Sequence, residues 1–318
     1  MFDRIGTLRF EFDSREKWEA GRRKFIGASE AAILHGVGYM ATSRFRLWAE
    51  KVQGIAPDFD KATLRRFAIG HAAEPIIAEW FSQETGLPVH AAPEGKSIVH
   101  AHSEHPFIGA TLDRVSERVD VGVVPLELKW VGARSAHEWA DDATPLKFVV
   151  QCQHQMLATG AQGAFLAAML DTDKLEWRYI ERDDEFLAAH LELCLQFWKA
   201  VEAGEYDGSI DGSDGTTEAI KLLYPQADPS KVIDLGVEGT DLVVDLESLK
   251  SQAKALDEQI EEKKNRIKMM LGDAIEGHTT DGRKITWKEQ NGGGYYVEPW
   301  TTRVLRVGSV SKKKGKKR

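Results

Sequence analysis

Cysteine is scarce in this chain, since only Cys152 and Cys194 occur among 318 residues. Both lie in apolar, helix-like patterns, so we predict buried, reduced thiols and no disulfide framework. An iron–sulfur cluster held by four cysteines is excluded because the chain has too few ligands for it.

Long apolar runs and an excess of positive charge are also missing. No stretch approaches about twenty apolar residues and no charged-then-apolar leader is present, so we expect a soluble, cytoplasmic protein. The formal net charge is −8. A polyanionic partner would therefore have to be held by local basic patches or by metal ions.

One strongly basic segment stands out at the end of the sequence. The last seven residues, LysLysLysGlyLysLysArg, carry six positive charges. We assign residues 301–318 to a basic tail, which either contacts a polyanion nonspecifically or serves only as a solubilising end.

The pattern that carries chemistry is an aspartate followed, after thirteen residues, by Glu-x-Lys: Asp113, Glu127 and Lys129. Alternating apolar residues predict two strands here, joined by a short turn around residues 120–122. Residues two apart in a strand point to the same side. Glu127 and Lys129 should therefore face one site, while Leu126, Leu128 and Trp130 pack on the other side.

Such a group of side chains suits metal-assisted chemistry on phosphates. Carboxylate oxygens are ligands of Mg²⁺ and Mn²⁺, and a neighbouring lysine can polarise a phosphate or hold a water partly deprotonated. The pattern alone is not specific, because 29% of the residues are charged. The alternative is a solvated rim of a hairpin.

Four further segments occur with this pattern in a fixed order, at 22–34, 47–51, 70–75 and 151–160. Together with the Asp and Glu-x-Lys segments, they resemble the YqaJ/lambda-exonuclease family of phage-type recombination nucleases. That family lies in the restriction-endonuclease-like, PD-(D/E)XK superfamily. The resemblance covers roughly residues 20–205.

The resemblance implies an α/β (α+β) fold class. We expect a restriction-endonuclease-like core with a central mixed sheet flanked by helices, plus a helical C-terminal extension. We place the strands of that single sheet near residues 97–101, 107–117, 121–129, 163–170 and 175–181.

The resemblance also implies a catalytic metal site. Two Mg²⁺ ions, or Mn²⁺ in their place, would be held by Glu74, Asp113, Glu127 and the backbone carbonyl of Leu128, with Lys129 as the catalytic lysine. An amphipathic pattern over residues 60–85 predicts a long helix that carries Glu74. The alternative for Glu74 is an ordinary exposed carboxylate on that helix.

Two glutamines lie on a second predicted helix, from Pro145 to Thr159, that would run beside the site. Gln151 matches the family's most characteristic glutamine, whose amide can orient the attacking water or a phosphate oxygen. Gln153 is a further candidate for DNA contact. The alternative for both is a polar stripe on the helix.

The resemblance also implies a pocket for the 5′-phosphate of a DNA end, because Arg22, Ser29 and Thr111 match the positions that form it in lambda-type exonucleases. Ser29 also fits the N-cap of a helix beginning one residue later, whose amides would favour an anion. The planar guanidinium of Arg22 can bind a phosphate through two parallel hydrogen bonds. Arg23 or Lys24 would serve in its place if the register shifts.

We divide the chain into a YqaJ-like nuclease domain (1–206), a linker (207–240), an arm (241–300) and the basic tail. From Asp241 to Glu276, apolar residues alternate three and four apart, which is the a/d pattern of a coiled coil or helical arm, and Lys263 interrupts it. Such a seam needs a partner, either another element of this chain or another copy. A small hairpin is predicted, with strands over residues 279–289 and 295–299 and a turn at AsnGlyGlyGly, residues 291–294.

The predicted function is Mg²⁺-dependent hydrolysis of DNA, as a 5′→3′ exonuclease that resects double-stranded ends for phage-type recombination. The resemblance further implies a ring-shaped homotrimer, a single-strand annealing recombinase as partner, and a bacterial or phage-infected host cell. Two alternatives stay open. One is an endonuclease of the same superfamily, because a shared fold does not fix the mode of cutting. The other is a catalytically idle DNA-binding or scaffolding module.

Overall fold

A computed structural model of the protein describes residues 4–6, 8–38, 42–54, 59–171, 173–206 and 208–289. The chain divides into two units, residues 1–224 and 225–318. The helices of the first unit are α1 (Arg15–Gly21), α2 (Ala28–Leu34), α3 (Arg44–Gln53), α4 (Lys61–Thr85), α5 (Leu146–Thr159), α6 (Asp184–Ala203) and α7 (Asp214–Leu223). Its strands are β1 (Leu8–Phe12), β2 (Ile26–Gly27), β3 (Val89–His90), β4 (Ser97–Ala101), β5 (Ile108–Thr111), β6 (Arg114–Arg118), β7 (Gly122–Val131), β8 (Gly163–Leu170) and β9 (Lys174–Glu181).

The predicted mixed α/β fold with a central mixed sheet flanked by helices is confirmed, but the strand predicted near 97–101 and the first half of the one predicted over 107–117 lie in a second sheet. The strands form a four-stranded sheet in the order β1-β4-β5-β2 and a five-stranded sheet in the order β3-β6-β7-β8-β9. The predicted strand over 107–117 is broken at Leu112 and Asp113, and its two halves belong to different sheets. The Asp113 carboxylate accepts a hydrogen bond from the Leu128 amide at 2.9 Å, which holds the chain at this bend.

Helices α4 and α5 pack on the two faces of the five-stranded sheet. Leu126 and Leu128 of β7 lie in one buried cluster with Ile77 and Phe81 of α4. Every residue of β8 is buried, as expected for a strand covered on both faces. The side chains of β7 that point the other way are free to serve a site on the α5 side.

Helix α4 has a defined start and one internal defect. It begins where the Asp60 carboxylate accepts from the Thr63 amide at 2.7 Å, and it ends at Gly86 with φ 70°. Pro75 lies inside the helix and cannot donate the backbone bond to the carbonyl of His71. The helix therefore loses one hydrogen bond next to Glu74.

The structure also shows that the predicted linker contains a packed helix. Helix α7 lies within the first unit, where the Thr216 hydroxyl donates to the Ser43 hydroxyl at 2.8 Å and Glu218 pairs with Arg46. Ser43 is the N-cap of α3, so α7 is fixed to the start of that helix.

The second unit contains one long helix and a hairpin. Helix α8 spans Gly236–Leu271 and begins before the predicted arm, while β10 (Glu276–His278) and β11 (Lys284–Thr286) pair antiparallel. The observed turn lies around Gly282, which has φ 86°, within the segment predicted as one strand of the hairpin. The predicted turn at 291–294 and the basic tail lie outside the described residues. Among the described helices, none is long and apolar enough to cross a bilayer.

Two buried histidines, His154 and His190, and the half-buried His35 form a hydrogen-bonded chain in the first unit. His35 Nε2 lies 2.9 Å from His190 Nδ1, and His190 Nε2 lies 2.8 Å from His154 Nδ1. His154 Nε2 faces the carbonyl oxygens of Ile26 and Gly109 at 3.0 and 3.2 Å. Since carbonyls only accept, His154 Nε2 carries a proton. His190 Nε2–H then donates to His154 Nδ1, and His35 Nε2–H donates to His190 Nδ1. The rings of His154 and His190, whose Nδ1 atoms accept, are then neutral.

The hydrogen-bonded histidines predict a loss of stability in acid. Burial lowers the pKa of His154 to about 4 and that of His190 to about 2, so the unfolded chain binds protons below pH 6.5 that the folded chain does not. Each of these two histidines should therefore lower the free energy of unfolding by up to about 1.4 kcal/mol for each pH unit below pH 6.5. Urea titrations at pH 7, 6 and 5 should show that His190→Asn loses less of its free energy of unfolding in acid than wild type does. His137→Asn, at an exposed position, is the control for loss of an imidazole, and equal slopes in all three proteins would contradict the assignment.

Candidate active site

Strand β7 presents Glu127 and Lys129 on the side opposite Leu126 and Leu128, as the two-residue period predicts. Glu127 is only 2% exposed, which is rare for a carboxylate without a function or a strong partner. The Lys129 ammonium donates to Glu127 Oε1. The pair thus places a buried carboxylate beside an ammonium, and the Lys129 side chain keeps 23% of its surface exposed.

Two amides of α5 complete the surroundings of the Glu127 carboxylate. Gln151 Nε2 donates to Oε1 at 2.6 Å, and Gln155 Nε2 donates to Oε2. Both oxygens of Glu127 therefore have donors, and the carboxylate is fixed in orientation. These hydrogen bonds offset much of the cost of burying the charge.

Asp113 reaches the same place from the bend between β5 and β6. Its Oδ2 accepts from the Leu128 amide, one residue from both Glu127 and Lys129. Burial raises the pKa of Asp113 to about 8, and the negative charges of Glu127 and Glu74 add to this rise. The Glu127 and Glu74 carboxylates consequently both lie within electrostatic reach of Asp113.

Glu74 approaches from α4. Its Oε1 lies 2.8 Å from His71 Nδ1, and its Oε2 lies 3.8 Å from the Arg114 guanidinium, which fixes it next to the start of β6. One turn earlier, a Cβ added at Gly70 would meet no atom within 4 Å outside its own helix backbone. The surface beside Glu74 is therefore open to a large substrate.

The donor set of this site fits a hard divalent cation. Glu74, Asp113 and Glu127 offer carboxylate oxygens, which are the ligands that Mg²⁺ and Mn²⁺ prefer. Burial is the main cause of the raised pKa of Asp113, and repulsion by the Glu127 and Glu74 carboxylates adds to it. A cation between them would remove that repulsion.

Of the two glutamines predicted from the sequence, the structure places only Gln151 at the site. Gln153 is 4% exposed, donates to the Glu181 carbonyl at 2.7 Å and accepts from the Asp183 amide at 3.2 Å. Its buried amide joins α5 to the end of β9, which argues against the predicted DNA contact through Gln153. Gln155 was missed, although its spacing of four from Gln151 puts both on one helix face.

A second charged cluster lies between α1 and α3. The buried Glu30 accepts from Arg22 Nη2 at 2.9 Å, from Lys51 Nζ at 2.6 Å and from the Gly27 amide at 2.8 Å. Burial alone would raise the pKa of Glu30, but the charges of Lys51 and Arg22 hold it below its usual value. The cluster has two cations and one anion, and the Arg22 side chain remains 42% exposed.

Trp18 joins Arg22 to Thr111. The Arg22 guanidinium lies 5.3 Å from the centre of the Trp18 ring, and Trp18 Nε1 donates to Thr111 Oγ1 at 3.2 Å. Ser29 is exposed, but it is not the predicted N-cap, because α2 begins at Ala28. Gly27 is the cap residue, and its amide donates to Glu30. Arg23 and Lys24 are exposed in the same 3-10 turn as Arg22.

Comparison with known proteins places the chain in a family. Residues 17–162 match the YqaJ-like viral recombinase domain. The protein YqaJ of Bacillus subtilis (strain 168) is 31% identical over 268 residues, which cover 83% of this chain and 80% of the relative. The chain belongs to the YqaJ family. All of the charged and amide residues of both clusters, from Arg22 to Gln155, fall within the segment that matches the YqaJ-like domain.

Solved structures are similar to part of this YqaJ-family chain. An alkaline exonuclease, LHK-Exo from Laribacter hongkongensis, has 24% identity and a TM-score of 0.49, covering 59% of this chain and 93% of its own. A phage related exonuclease from Haemophilus somnus 129PT has 13% identity and a TM-score of 0.38, covering 51% and 81%.

Proposed function

We propose that this YqaJ-family protein is a divalent-metal-dependent DNA nuclease that hydrolyses phosphodiester bonds. The observation that carries the proposal is the convergence of Asp113, Glu127 and Lys129, with Gln151 beside them. The Glu127 carboxylate is buried, has an ammonium on one oxygen, and lies beside a second carboxylate that is bonded to the Leu128 amide. This arrangement has no evident structural purpose. The same set suits hydrolysis of a phosphate ester.

Glu74, Asp113, Glu127 and the carbonyl of Leu128 would hold two Mg²⁺ ions, with Mn²⁺ as a substitute. When bound, such ions lower the pKa of a water and stabilise charge on the leaving oxygen. Lys129 Nζ, fixed by Glu127, can take part in moving the proton of the attacking water. Gln151 can orient that water or a phosphate oxygen, and Gln155 positions the Glu127 carboxylate.

The cluster of Arg22, Trp18 and Thr111 would receive the 5′-phosphate of a DNA end, with Ser29 as a further contact. Arg22 is held by Glu30 on one side and by the ring of Trp18 on the other, so its remaining donors are set in direction before a phosphate arrives. Lys51 keeps Glu30 neutralised and leaves the charge of Arg22 for the ligand.

The mode of action we propose is a 5′→3′ exonuclease that resects double-stranded ends in phage-type recombination. Digestion of linear and covalently closed circular duplex should be compared in Mg²⁺, in Mn²⁺ and in EDTA, with either 5′-phosphate or 5′-hydroxyl ends. We expect metal-dependent loss of linear DNA only, faster from 5′-phosphate ends. Cutting of closed circles would favour an endonuclease, and absence of cutting in all conditions would favour an idle DNA-binding or scaffolding module.

Replacing Arg22 tests the end pocket separately. Arg22→Ala should remove the preference for 5′-phosphate ends, at a cost of about 1.5–3 kcal/mol or roughly ten- to a hundredfold in end engagement. Glu30 keeps Lys51 and the Gly27 amide as partners, so folding should be retained. Arg23→Ala and Lys24→Ala are matched controls of equal charge. If either of them removes the preference while Arg22→Ala does not, the pocket is assigned to the wrong cation.

Two further proposals rest on the resemblance to lambda-type exonucleases. The protein would act as a ring-shaped homotrimer and would deliver its single-stranded product to a single-strand annealing recombinase. Native mass spectrometry tests the first, and co-purification with the annealing protein of the same phage or prophage tests the second.

A further inference from the structure

Helix α8 carries an apolar stripe that remains exposed. The helix has 36 residues, and none of them is buried. Leu249, Leu256 and Met270 are 62%, 57% and 87% exposed. They belong to nine positions that alternate three and four apart: Leu242, Leu246, Leu249, Ala253, Leu256, Ile260, Lys263, Ile267 and Met270. A seven-residue repeat of this kind forms a stable seam in water only against another helix.

We propose that α8 pairs with α8 of a second copy of this chain as an antiparallel two-stranded coiled coil. The inference uses residues of α8 only and does not depend on the proposed nuclease function. In a ring-shaped homotrimer, the second copy belongs to another ring. In the heptad, Leu246 takes position a and Leu249 takes position d. The charges beside the seam select both the partner and the direction of pairing.

One antiparallel register pairs eight of the nine seam positions with one another. Leu249 faces Ile260 of the second copy, and Ala253 faces Leu256, so a small side chain meets a large one. Lys263 faces Leu246, and its long stem can pack there while the ammonium reaches water. By symmetry each of these contacts occurs twice.

The flanking positions are complementary in charge in this register. In an antiparallel pair, e positions flank e positions and g positions flank g positions. Lys250 then lies beside Asp257 of the second copy, and Asp245 lies beside Arg266. Both ion pairs occur twice, and no like charges meet.

Other arrangements place like charges together. Sliding the antiparallel pair by one heptad sets Lys250 against Lys264 and Asp257 against Asp257, and sliding it the other way sets Lys250 against Lys250. A parallel pair in register sets Lys263 against Lys263 within the seam. The sequence of α8 therefore favours one dimer over its alternatives.

Cysteine cross-linking of the full chain tests both the pairing and its direction. The two native cysteines are buried, so introduced thiols are the reactive ones. In the Leu249→Cys/Ile260→Cys protein, mild oxidation should give a covalent dimer. Within one helix the two positions are about 16 Å apart, too far for an internal disulfide. The single variants Leu249→Cys and Ile260→Cys should stay monomeric on denaturing gels.

The matched control is Ser251→Cys/Glu258→Cys, which places two thiols at the same level on the outer face. It should not cross-link. In the Leu249→Cys/Ile260→Cys background, adding Lys250→Asp should slow cross-linking about tenfold, and adding Asp257→Lys as well should restore it. Cross-linking of Leu249→Cys alone would mean a parallel pair and overturn the proposal. Equal cross-linking of the outer-face control, or none in the seam variant, would also overturn it.

Discussion

Replacing Asp113 by Asn should abolish DNA hydrolysis and, in EDTA, make the protein harder to unfold. The loss of activity should be roughly a thousandfold or more, since several kcal/mol of metal-dependent stabilisation are removed. The amide oxygen of Asn can still accept the hydrogen bond from Leu128, so the bend between β5 and β6 should survive. Activity is measured on linear duplex in Mg²⁺, and stability by urea titration.

The gain in stability follows from the sign of the pKa shift. Burial and the charges of Glu127 and Glu74 raise the pKa of Asp113 to about 8. The folded chain then holds a proton that the unfolded chain releases above pH 4, so the carboxyl lowers the free energy of unfolding as pH rises from about 4 to about 8. The asparagine of the Asp113→Asn variant carries no charge to repel the other carboxylates. The difference between variant and wild type should be largest near pH 8 and vanish near pH 4.

Metal binding gives an independent check of the Asp113 assignment. Mg²⁺ should raise the midpoint of thermal unfolding of wild type in proportion to the logarithm of its concentration, and should have little effect on Asp113→Asn. Asp120→Asn is the control, because Asp120 is exposed in the next turn and pairs only with Arg118 among the described contacts. Activity of Asp113→Asn within tenfold of wild type would remove Asp113 from the site.

The face of β7 and the helices beside it could be predicted from the sequence because their signals are local. A period of two separates Glu127 and Lys129 from Leu126 and Leu128, and apolar periodicity marks α4 and α5 to within one residue. The division into two sheets could not be predicted in this way. The break at Leu112 and Asp113 contains neither Gly nor Pro, and it is held by a hydrogen bond from a residue fifteen positions later.

Contacts distant in sequence account for the other differences. Glu30 looks like an N-terminal helix residue, and only the fold shows that Lys51 and Arg22 converge on it. Ser29 satisfies the usual preference for a cap residue, but the Glu30 side chain accepts a hydrogen bond from the amide of Gly27. The helix therefore begins two residues earlier than predicted, at Ala28. Gln155 is different, because its position on the Gln151 face of α5 is already set by helical spacing.

Lys129→Met should lower turnover by about 10²–10⁴-fold, the range typical of a group that takes part in proton transfer. Met keeps the length of the side chain and its packing near the Phe148 ring, whose centre lies 5.4 Å from the ammonium. Glu127 retains the donors Gln151 and Gln155, so its carboxylate should stay in place. Mg²⁺ affinity, measured by calorimetry, should therefore change far less than the turnover number.

A second lysine on the same ring provides the control for Lys129. The Lys147 ammonium lies 5.2 Å from the centre of Phe148 but pairs with Glu138 at 2.8 Å. Lys147→Met removes the same charge from the same aromatic neighbour without removing a donor from Glu127, so its turnover should stay near that of wild type. If Lys129→Met simply fails to bind Mg²⁺, or if both variants lose activity equally, the ammonium acts through local charge and not on the reacting water. A selective loss in Lys129→Met with metal affinity retained would assign the proton transfer to Lys129 Nζ.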